Sequence, residues 1–290
     1  MGPLIAGAPA GPVPLPPELV PLVGEGGVEC IWRNELGGLT FALGAGPDAG
    51  ADRYLKWVPP GTPLDLRPEA ERLAWSGRWI RVPRVLDADP GGRWLLTAAI
   101  EGTSAVDPCW VARPVVAARA IGRGLRVLHD ALPPAGCSFD WTAEARIREA
   151  EQAGKSLPAG LLAPPPVDRL LVAHGDACAP NTLLGKDGTF LAHVDLGRLG
   201  VADRWADLAI ATYSLGWAPF AGSDATRTRR GGRAKGRTMT RPRASTSSTN
   251  CSRRTGSSAT TPASPTTGRS GTPRDLRLLW ALRATPSVRG

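Results

Sequence analysis

Residues 171–181 read LVAHGDACAPN, and residues 191–198 read LAHVDLGR. Each segment begins with an apolar run typical of a buried strand and then reaches an acidic residue, Asp176 in the first and Asp195 in the second. Asn181 follows the first aspartate by five residues. The tetrapeptide GKDG between the two apolar runs indicates a hairpin. We therefore expect the two strands to lie side by side and the acidic residues to converge.

Converging oxygen ligands of this kind suit phosphoryl transfer. Asp176 can accept the proton of an attacking hydroxyl group, while Asn181 and Asp195 offer hard oxygen ligands to Mg²⁺. Arg198 follows Asp195 by three residues and can either pair with the loop of the base or face the phosphates. Each motif alone is a weak signal because Gly-Asp commonly forms turns. The two motifs together, with strand, turn and strand between them, are much more specific.

The N-terminal part of the chain predicts a small sheet with a lysine inside it. Strand-like segments at 28–33, 39–43 and 53–58 are separated by turn sequences, and a helical segment at 68–79 and two further strands follow. Lys56 lies in the middle of RYLKWV, where a charge is costly unless it is paired. Glu69 on the next helix is the natural partner, and such a pair holds nucleotide phosphates in kinase-like sites. The alternative is that Lys56 extends to solvent from an edge strand.

The second half of the chain is mainly helical. Apolar spacing predicts helices at 110–132, 142–154 and 204–217, with Val115, Ile121, Leu125 and Leu128 on the buried face of the first. The pattern predicts an α+β fold of two lobes, a β-rich N-terminal lobe with one main helix and a mainly helical C-terminal lobe.

With these residues in hand, the chain resembles the aminoglycoside phosphotransferases, and most closely their 3′-phosphotransferase group. The resemblance covers roughly residues 25–217. It rests on the segments YLKWV, EAERLAW, VPRVL, WLLTAAIEG, LHDALPPAGCSF, HGDACAPNTLL and VDLGRLGVADRWADLA.

The resemblance implies a protein-kinase-like fold that uses ATP and Mg²⁺ to phosphorylate an aminoglycoside antibiotic. Asp176 would be the catalytic base with Arg198 beside it, and Asn181 and Asp195 would bind Mg²⁺. The remaining implied contacts are with ATP: Lys56 would touch the phosphates with Glu69 as its partner, and the backbones of Ala98 and Ile100 would meet the adenine. Asp203 and Asp207 would have structural roles.

The family pattern is expected to end near Ala218. Residues 221–274 contain twelve Lys or Arg and one Asp, a net charge of +11, so the rest of the chain carries −2 of the total of +9. The segment lacks Val, Ile, Leu, Phe, Trp and Tyr and is predicted to be disordered. One hypothesis is a translated frameshift, because residues 245–256 read from the third base of each codon can encode an amphipathic helix that ends in Gly.

The predicted organisation has five parts: a disordered lead-in at 1–24, a nucleotide-binding lobe at 25–101, a catalytic lobe at 102–220, the basic segment at 221–274 and a short helix at 275–290. No membrane span is expected, since no run of 18 apolar residues occurs. Five scattered cysteines without CxxC favour a reducing cytoplasm. The composition leaves the oligomeric state undetermined.

Three functions compete at this point. The first is aminoglycoside phosphorylation, by an enzyme whose activity the altered C-terminus could impair. The second is a kinase of the same fold that acts on another metabolite alcohol. The third is a non-catalytic basic binder, but nucleic acid is not expected as a specific partner, because the positive charge lies in one segment.

Overall fold

The structure is a computed structural model that describes residues 7–44, 50–152, 154–158, 160, 164 and 166–216. The predictions for 221–274 and 275–290 lie outside these residues. Among the helices in the described ranges, none is long and apolar enough to cross a membrane.

Five antiparallel strands form the sheet of the N-terminal lobe. They are β1 (Val28–Arg33), β2 (Leu39–Leu43), β3 (Arg53–Trp57), β4 (Val85–Ala88) and β5 (Trp94–Ala98), arranged in the order β1-β2-β3-β5-β4. The predicted strands are therefore present, and Lys56 lies on a central strand. It pairs with Thr40 of β2 on one side and Leu95 of β5 on the other.

The described part of the predicted lead-in at 1–24, residues 7–24, packs against this sheet instead of being disordered. A 3₁₀ turn at Pro17–Leu19 leads into α1 (Val20–Val23), and Leu19 is fully buried in a cluster with Phe41, Leu55 and other apolar residues of the sheet. Its apolar residues cover a face of the sheet that would otherwise be exposed to water. The boundary between the lobes at residues 101 and 102 stays a prediction.

Helix α2 (Arg67–Ser76) lies between the sheet and the second lobe. Its Leu73 joins a buried cluster that contains Leu95 of β5 and residues of the second lobe, among them Leu128, Leu196 and Leu199. This cluster makes the two lobes share one apolar core, and it places the first turn of α2 above the loop that follows Val194.

The second lobe contains α3 (Pro108–Val111), α4 (Pro114–Ala131), α5 (Ala143–Gln152) and α6 (Trp205–Ser214). The helix predicted at 110–132 is divided in two, because Pro114 lacks the amide hydrogen that would continue α3 and instead begins α4. The buried face of α4 includes Ile121, Leu125 and Leu128, as predicted, but Val115 is 52% exposed.

The strands around the two acidic motifs pair differently from the prediction. The strands are β6 (Thr103–Ser104), β7 (Leu170–Ala173), β8 (Thr182–Leu184), β9 (Phe190–His193) and β10 (Gly200–Asp203). The GKDG turn joins β8 to β9, whereas β7 pairs with β10. The expectation that β7 and β9 form one hairpin is wrong, because the three-residue strand β8 lies between them in the chain and takes the hairpin position.

Candidate active site

Lys56, Glu69 and Asp195 meet at the junction of the two lobes. The Lys56 ammonium lies 2.7 and 2.9 Å from the two carboxylate oxygens of Glu69 and 2.9 Å from Oδ1 of Asp195. The prediction paired Lys56 with Glu69 alone, and the contact with Asp195 was missed because nothing in local sequence links residues 139 positions apart. Lys56 therefore connects a strand, a helix and a loop from both lobes.

Lys56 attracts both carboxylates, whereas burial and the neighbouring charge of Asp195 raise the pKa of Glu69. Burial alone would lower the pKa of Lys56, but the carboxylates of Asp195 and Glu69 raise it above its ordinary value. The ammonium group of Lys56 in turn lowers the pKa of Asp195. Lys56 is thus held as a cation and Asp195 as an anion across the neutral pH range.

Asp207, at the start of α6, forms hydrogen bonds with the backbone of the loop at residues 174–176. Its carboxylate accepts hydrogen bonds from the amides of His174, at 2.7 Å, and Gly175, at 3.0 Å. His129 Nε2 lies 2.8 Å from the same carboxylate, and the Asp207 side chain is fully buried. Burial would raise the pKa of Asp207, but His129 and His174 lower it, so the carboxylate stays ionised.

His174 has a structural position below the loop. Its Nε2 donates to the carbonyl of Val194 at 3.1 Å, and its Nδ1 accepts from the amide of Asp176 at 3.3 Å. These roles require the neutral ring, and burial lowers the pKa of His174 accordingly. The imidazole thereby links the segment that carries Asp176 to the segment that carries Asp195.

Asn181 connects the two acidic residues through the backbone. Its side-chain amide nitrogen donates to the backbone carbonyl of Asp176 at 2.9 Å. Its backbone carbonyl accepts from the amide of Val194 at 3.1 Å. Because the nitrogen is used in this way, Oδ1 of Asn181 is the side-chain atom left to act as an acceptor for another group. Asp195 follows Val194 directly, so both predicted metal ligands lie at the same end of the β8–β9 hairpin.

Asp195 has a strained backbone. Its φ angle is 63°, and among the described residues it is the single non-glycine with a positive φ. Its side chain is 48% exposed although it touches Lys56. Strain of this kind is retained where the surrounding contacts over-determine a position, and it is frequent at functional sites.

The oxygen atoms of Asn181 and Asp195 fit Mg²⁺. Mg²⁺ is bound by one or two carboxylate or amide oxygens together with waters and substrate phosphates, so a full cage of protein ligands is unnecessary. Within the described ranges, no group of three or more His, Cys, Asp or Glu side chains forms such a cage. The ligand set therefore suits a metal that arrives with a phosphate.

Arg198 lies beside Asp176 but pairs with it only loosely. The distance from its Nη1 to Oδ2 of Asp176 is 3.8 Å, and its guanidinium lies 5.7 Å from the ring centre of Trp141. The backbone contact is much closer: a side chain at Gly175 would overlap the carbonyl oxygen of Arg198. Arg198 thus borders the loop of the predicted base through its backbone and keeps its cationic group close to the Asp176 carboxylate.

The predicted adenine contacts lie at the end of β5. The amide of Ala98 donates to the carbonyl of Arg84 at 2.9 Å, so this amide is already used within the sheet. Ile100 follows β5 in the connection to the second lobe and is half-buried. Their roles toward a nucleotide stay predictions, as do those of the other site residues.

Comparisons with known proteins give a consistent result. A family model described as "Phosphotransferase enzyme family" matches residues 37–244. The match runs past Ala218, so the prediction that the family pattern ends there is wrong. The frameshift hypothesis stays untested.

Two characterised relatives and one solved structure illustrate the similarity. The aminoglycoside 3′-phosphotransferase of Streptomyces fradiae is 33% identical over an alignment of 211 positions, and the match covers 63% of this chain and 78% of that protein. The streptomycin 3″-kinase of Streptomyces griseus is 31% identical over an alignment of 229 positions, and the match covers 69% of this chain and 81% of that protein. The structure of the aminoglycoside phosphotransferase APH(3″)-Id from Streptomyces rimosus matches with a TM-score of 0.53 at 28% identity, over 71% of this chain and 83% of that one. The predicted two-lobed α+β fold is thereby confirmed.

Proposed function

This chain belongs to the phosphotransferase enzyme family, and we propose that it transfers the γ-phosphate of ATP to a hydroxyl group of an aminoglycoside. The resemblance read from the sequence is thus confirmed at the level of the family. The similarity to an aminoglycoside 3′-phosphotransferase and to a streptomycin 3″-kinase supports the acceptor class, although those two relatives are named for different hydroxyl positions.

One observation carries the proposal. Lys56 bridges Glu69 and Asp195 between the lobes, and Asp195 is joined through Val194 and Asn181 to the loop of Asp176. A phosphate donor held at Lys56 would therefore have its terminal group near Asp176. Positioning and electrostatic stabilisation are the main contributions that a protein makes to phosphoryl transfer.

In the proposed reaction, Asp176 accepts the proton of the acceptor hydroxyl as its oxygen attacks the γ-phosphorus. The Lys56 ammonium binds the non-transferred phosphates, and Arg198 adds positive charge beside the loop. When bound, Mg²⁺ would neutralise phosphate charge, and Asn181 and Asp195 are the residues that would hold it. The backbones of Ala98 and Ile100 would meet the adenine.

The test is a transfer assay with γ-labelled ATP on kanamycin-type and streptomycin-type acceptors. We expect labelled antibiotic with the parent chain and a fall in kcat of about 10²–10⁴-fold for Asp176→Asn, since the amide cannot accept the proton. Asp187→Asn is the matched control, because Asp187 is a carboxylate in the GKDG turn that contacts Thr189.

Three outcomes separate the possibilities. Label on an aminoglycoside, lost with Asp176→Asn and kept with Asp187→Asn, supports the proposal. Label only on other alcohols in an acceptor screen would refute the acceptor class and retain the kinase activity. If Asp176→Asn transferred label to the antibiotic as fast as Asp187→Asn and the parent chain, Asp176 would not have its proposed role.

A further inference from the structure

Arg72 joins helix α2 to the loop that carries Asp195. Its Nε donates to the carbonyl of Leu199 at 2.7 Å, and its Nη1 donates to the carbonyl of Pro68 at 3.0 Å. The first bond crosses from the N-terminal lobe to the second lobe. The second returns to the first turn of the helix that contains Arg72.

The environment of Arg72 keeps it in this position. The guanidinium lies 4.7 Å from the ring centre of Phe139, whose own carbonyl accepts the amide of Val201 at 2.8 Å. Partial burial lowers the pKa of Arg72, although an arginine stays charged at neutral pH. The charge of Arg72 is thus directed at two backbone carbonyls that belong to different lobes.

The two ends of this connection are close to the nucleotide site. Glu69 precedes Arg72 by three residues, so both side chains project from the same side of α2. Leu199 closes a turn after Asp195, with its amide donating to the carbonyl of Leu196 at 3.0 Å. Within that turn, Gly197 packs on Glu69: a Cβ on the glycine would lie 3.6 Å from Cβ of Glu69.

The helix and the loop are therefore held together at two points. Lys56 joins the Glu69 and Asp195 carboxylates at the site itself, and Arg72 joins Pro68 and Leu199 behind it. When a nucleotide is bound, Lys56 would have to share its ammonium with phosphate oxygens. The connection through Arg72 joins two backbone carbonyls behind the site, so it does not depend on the ammonium group that the phosphates would share.

We propose that Arg72 is a positioning residue that fixes Glu69 relative to Asp195 and so holds Lys56 in place for ATP. This inference rests on the proposed function and extends it to a residue that touches neither ATP nor acceptor. A purely structural arginine would affect the amount of folded protein, whereas a positioning arginine changes the affinity for one substrate.

The test compares Arg72→Gln, Arg72→Lys and the control Arg78→Gln in the full chain. Arg78 is an exposed arginine just after α2, so its replacement should leave binding and turnover unchanged. We expect Arg72→Gln to raise the KM for ATP, and the Kd of a fluorescent ATP analogue, about tenfold, because small displacements of a binding group are costly. The KM for the acceptor should stay constant. Arg72→Lys, which keeps the charge but loses the planar pair of donors, should lie between Arg72→Gln and the parent chain.

A double-mutant cycle with Glu69→Gln distinguishes positioning from general destabilisation. If Arg72 acts through Glu69, adding Arg72→Gln to Glu69→Gln should raise the ATP Kd by less than about twofold further. Independent, multiplying effects would overturn the inference, as would a fall in kcat with both KM values unchanged. A parent chain that binds no ATP would instead refute the proposed function, and the inference with it. Circular dichroism and thermal unfolding measurements test whether each variant is folded.

Discussion

Replacing Gly175 by alanine should disable the loop of the predicted base. Gly175 has a φ angle of 79°, and a Cβ there would overlap the carbonyl oxygen of Arg198 and lie 2.8 Å from Cβ of Arg198. The obstacle is backbone, so a change of rotamer cannot relieve it. Either residues 174–176 or the Arg198 backbone must move.

The expected loss has two parts. The left-handed conformation costs an alanine about 1–2 kcal/mol relative to a glycine. A movement of the loop also stretches one of the hydrogen bonds to the Asp207 carboxylate, and a bond to a charged group contributes about 1.5–3 kcal/mol. We therefore expect a loss of about 2.5–5 kcal/mol in the free energy of unfolding. The kcat should fall about 10²-fold, since displacement of a catalytic group by about 1 Å has that effect.

Gly61 offers a matched control. Its φ angle is 76°, and an added Cβ would meet nothing within 4 Å. Gly61→Ala should therefore lose only the conformational part, about 1–2 kcal/mol, and keep its kcat. Urea unfolding followed by tryptophan fluorescence gives the stability of both variants, and the labelled transfer assay gives kcat. Equal effects of the two substitutions on kcat would refute the reasoning from steric overlap.

Three further predictions concern buried groups. Asp207→Asn should cost about 2–3 kcal/mol and lower kcat, because an amide offers one acceptor oxygen where the carboxylate offers two; a normal urea midpoint would contradict this. Leu19→Ala should cost about 2–4 kcal/mol if the N-terminal segment is part of the core, and under about 0.5 kcal/mol if it is solvated. Burial lowers the pKa of His193 to about 3, and it also lowers that of the adjacent His174. At His193 the unfolded state takes up a proton below about pH 6.5 while the folded state does not, so stability should fall by up to about 1.4 kcal/mol per pH unit as the pH drops from there toward 3. The lowered pKa of His174 acts in the same direction. His193→Leu should reduce this dependence in urea titrations at pH 7 and pH 5, and an unchanged dependence would assign it to other groups.

The N-terminal sheet could be predicted because its information is local. Alternating apolar residues and turn sequences placed β1, β2 and β3 correctly, and the energetic cost of an unpaired charge in a central strand drew attention to Lys56. The partner Glu69 followed from the next helix. The position of Asp195 beside the same ammonium could not follow from local pattern, since it depends on how the two lobes pack.

The pairing of β7 with β10 shows where the local information misled. The GKDG turn was a correct hairpin signal, but it belongs to the β8–β9 hairpin. A three-residue strand such as Thr182–Leu184 is too short to show an alternation of apolar and polar residues. The sequence therefore assigns the hairpin to the longer apolar run before it. The acidic residues converge nonetheless, because Asn181 and Val194 are joined at the open end of that hairpin.

The prediction of a disordered N-terminal segment was wrong for a related reason. Its proline content favours an extended chain, and an extended chain without hydrogen-bond partners reads as disordered. Val13, Leu15 and Leu19 nevertheless pack on the sheet, and Glu18 accepts a hydrogen bond from Trp57 Nε1 at 3.0 Å. Proline restricts the unfolded chain, so an extended segment with a few well-placed apolar residues loses less entropy on docking than a flexible one.

The backbone of Asp195 unites these observations. A left-handed conformation at a non-glycine residue is locally unfavourable, by about 1–2 kcal/mol, so it must be imposed by contacts elsewhere. Those contacts come from Lys56 at its carboxylate, from Asn181 at the preceding amide and from Arg72 at the end of the turn that follows. Each belongs to a different element, and none is adjacent to Asp195 in sequence. The part of the site that local sequence predicts least well is therefore the part that the tertiary structure holds from the most directions.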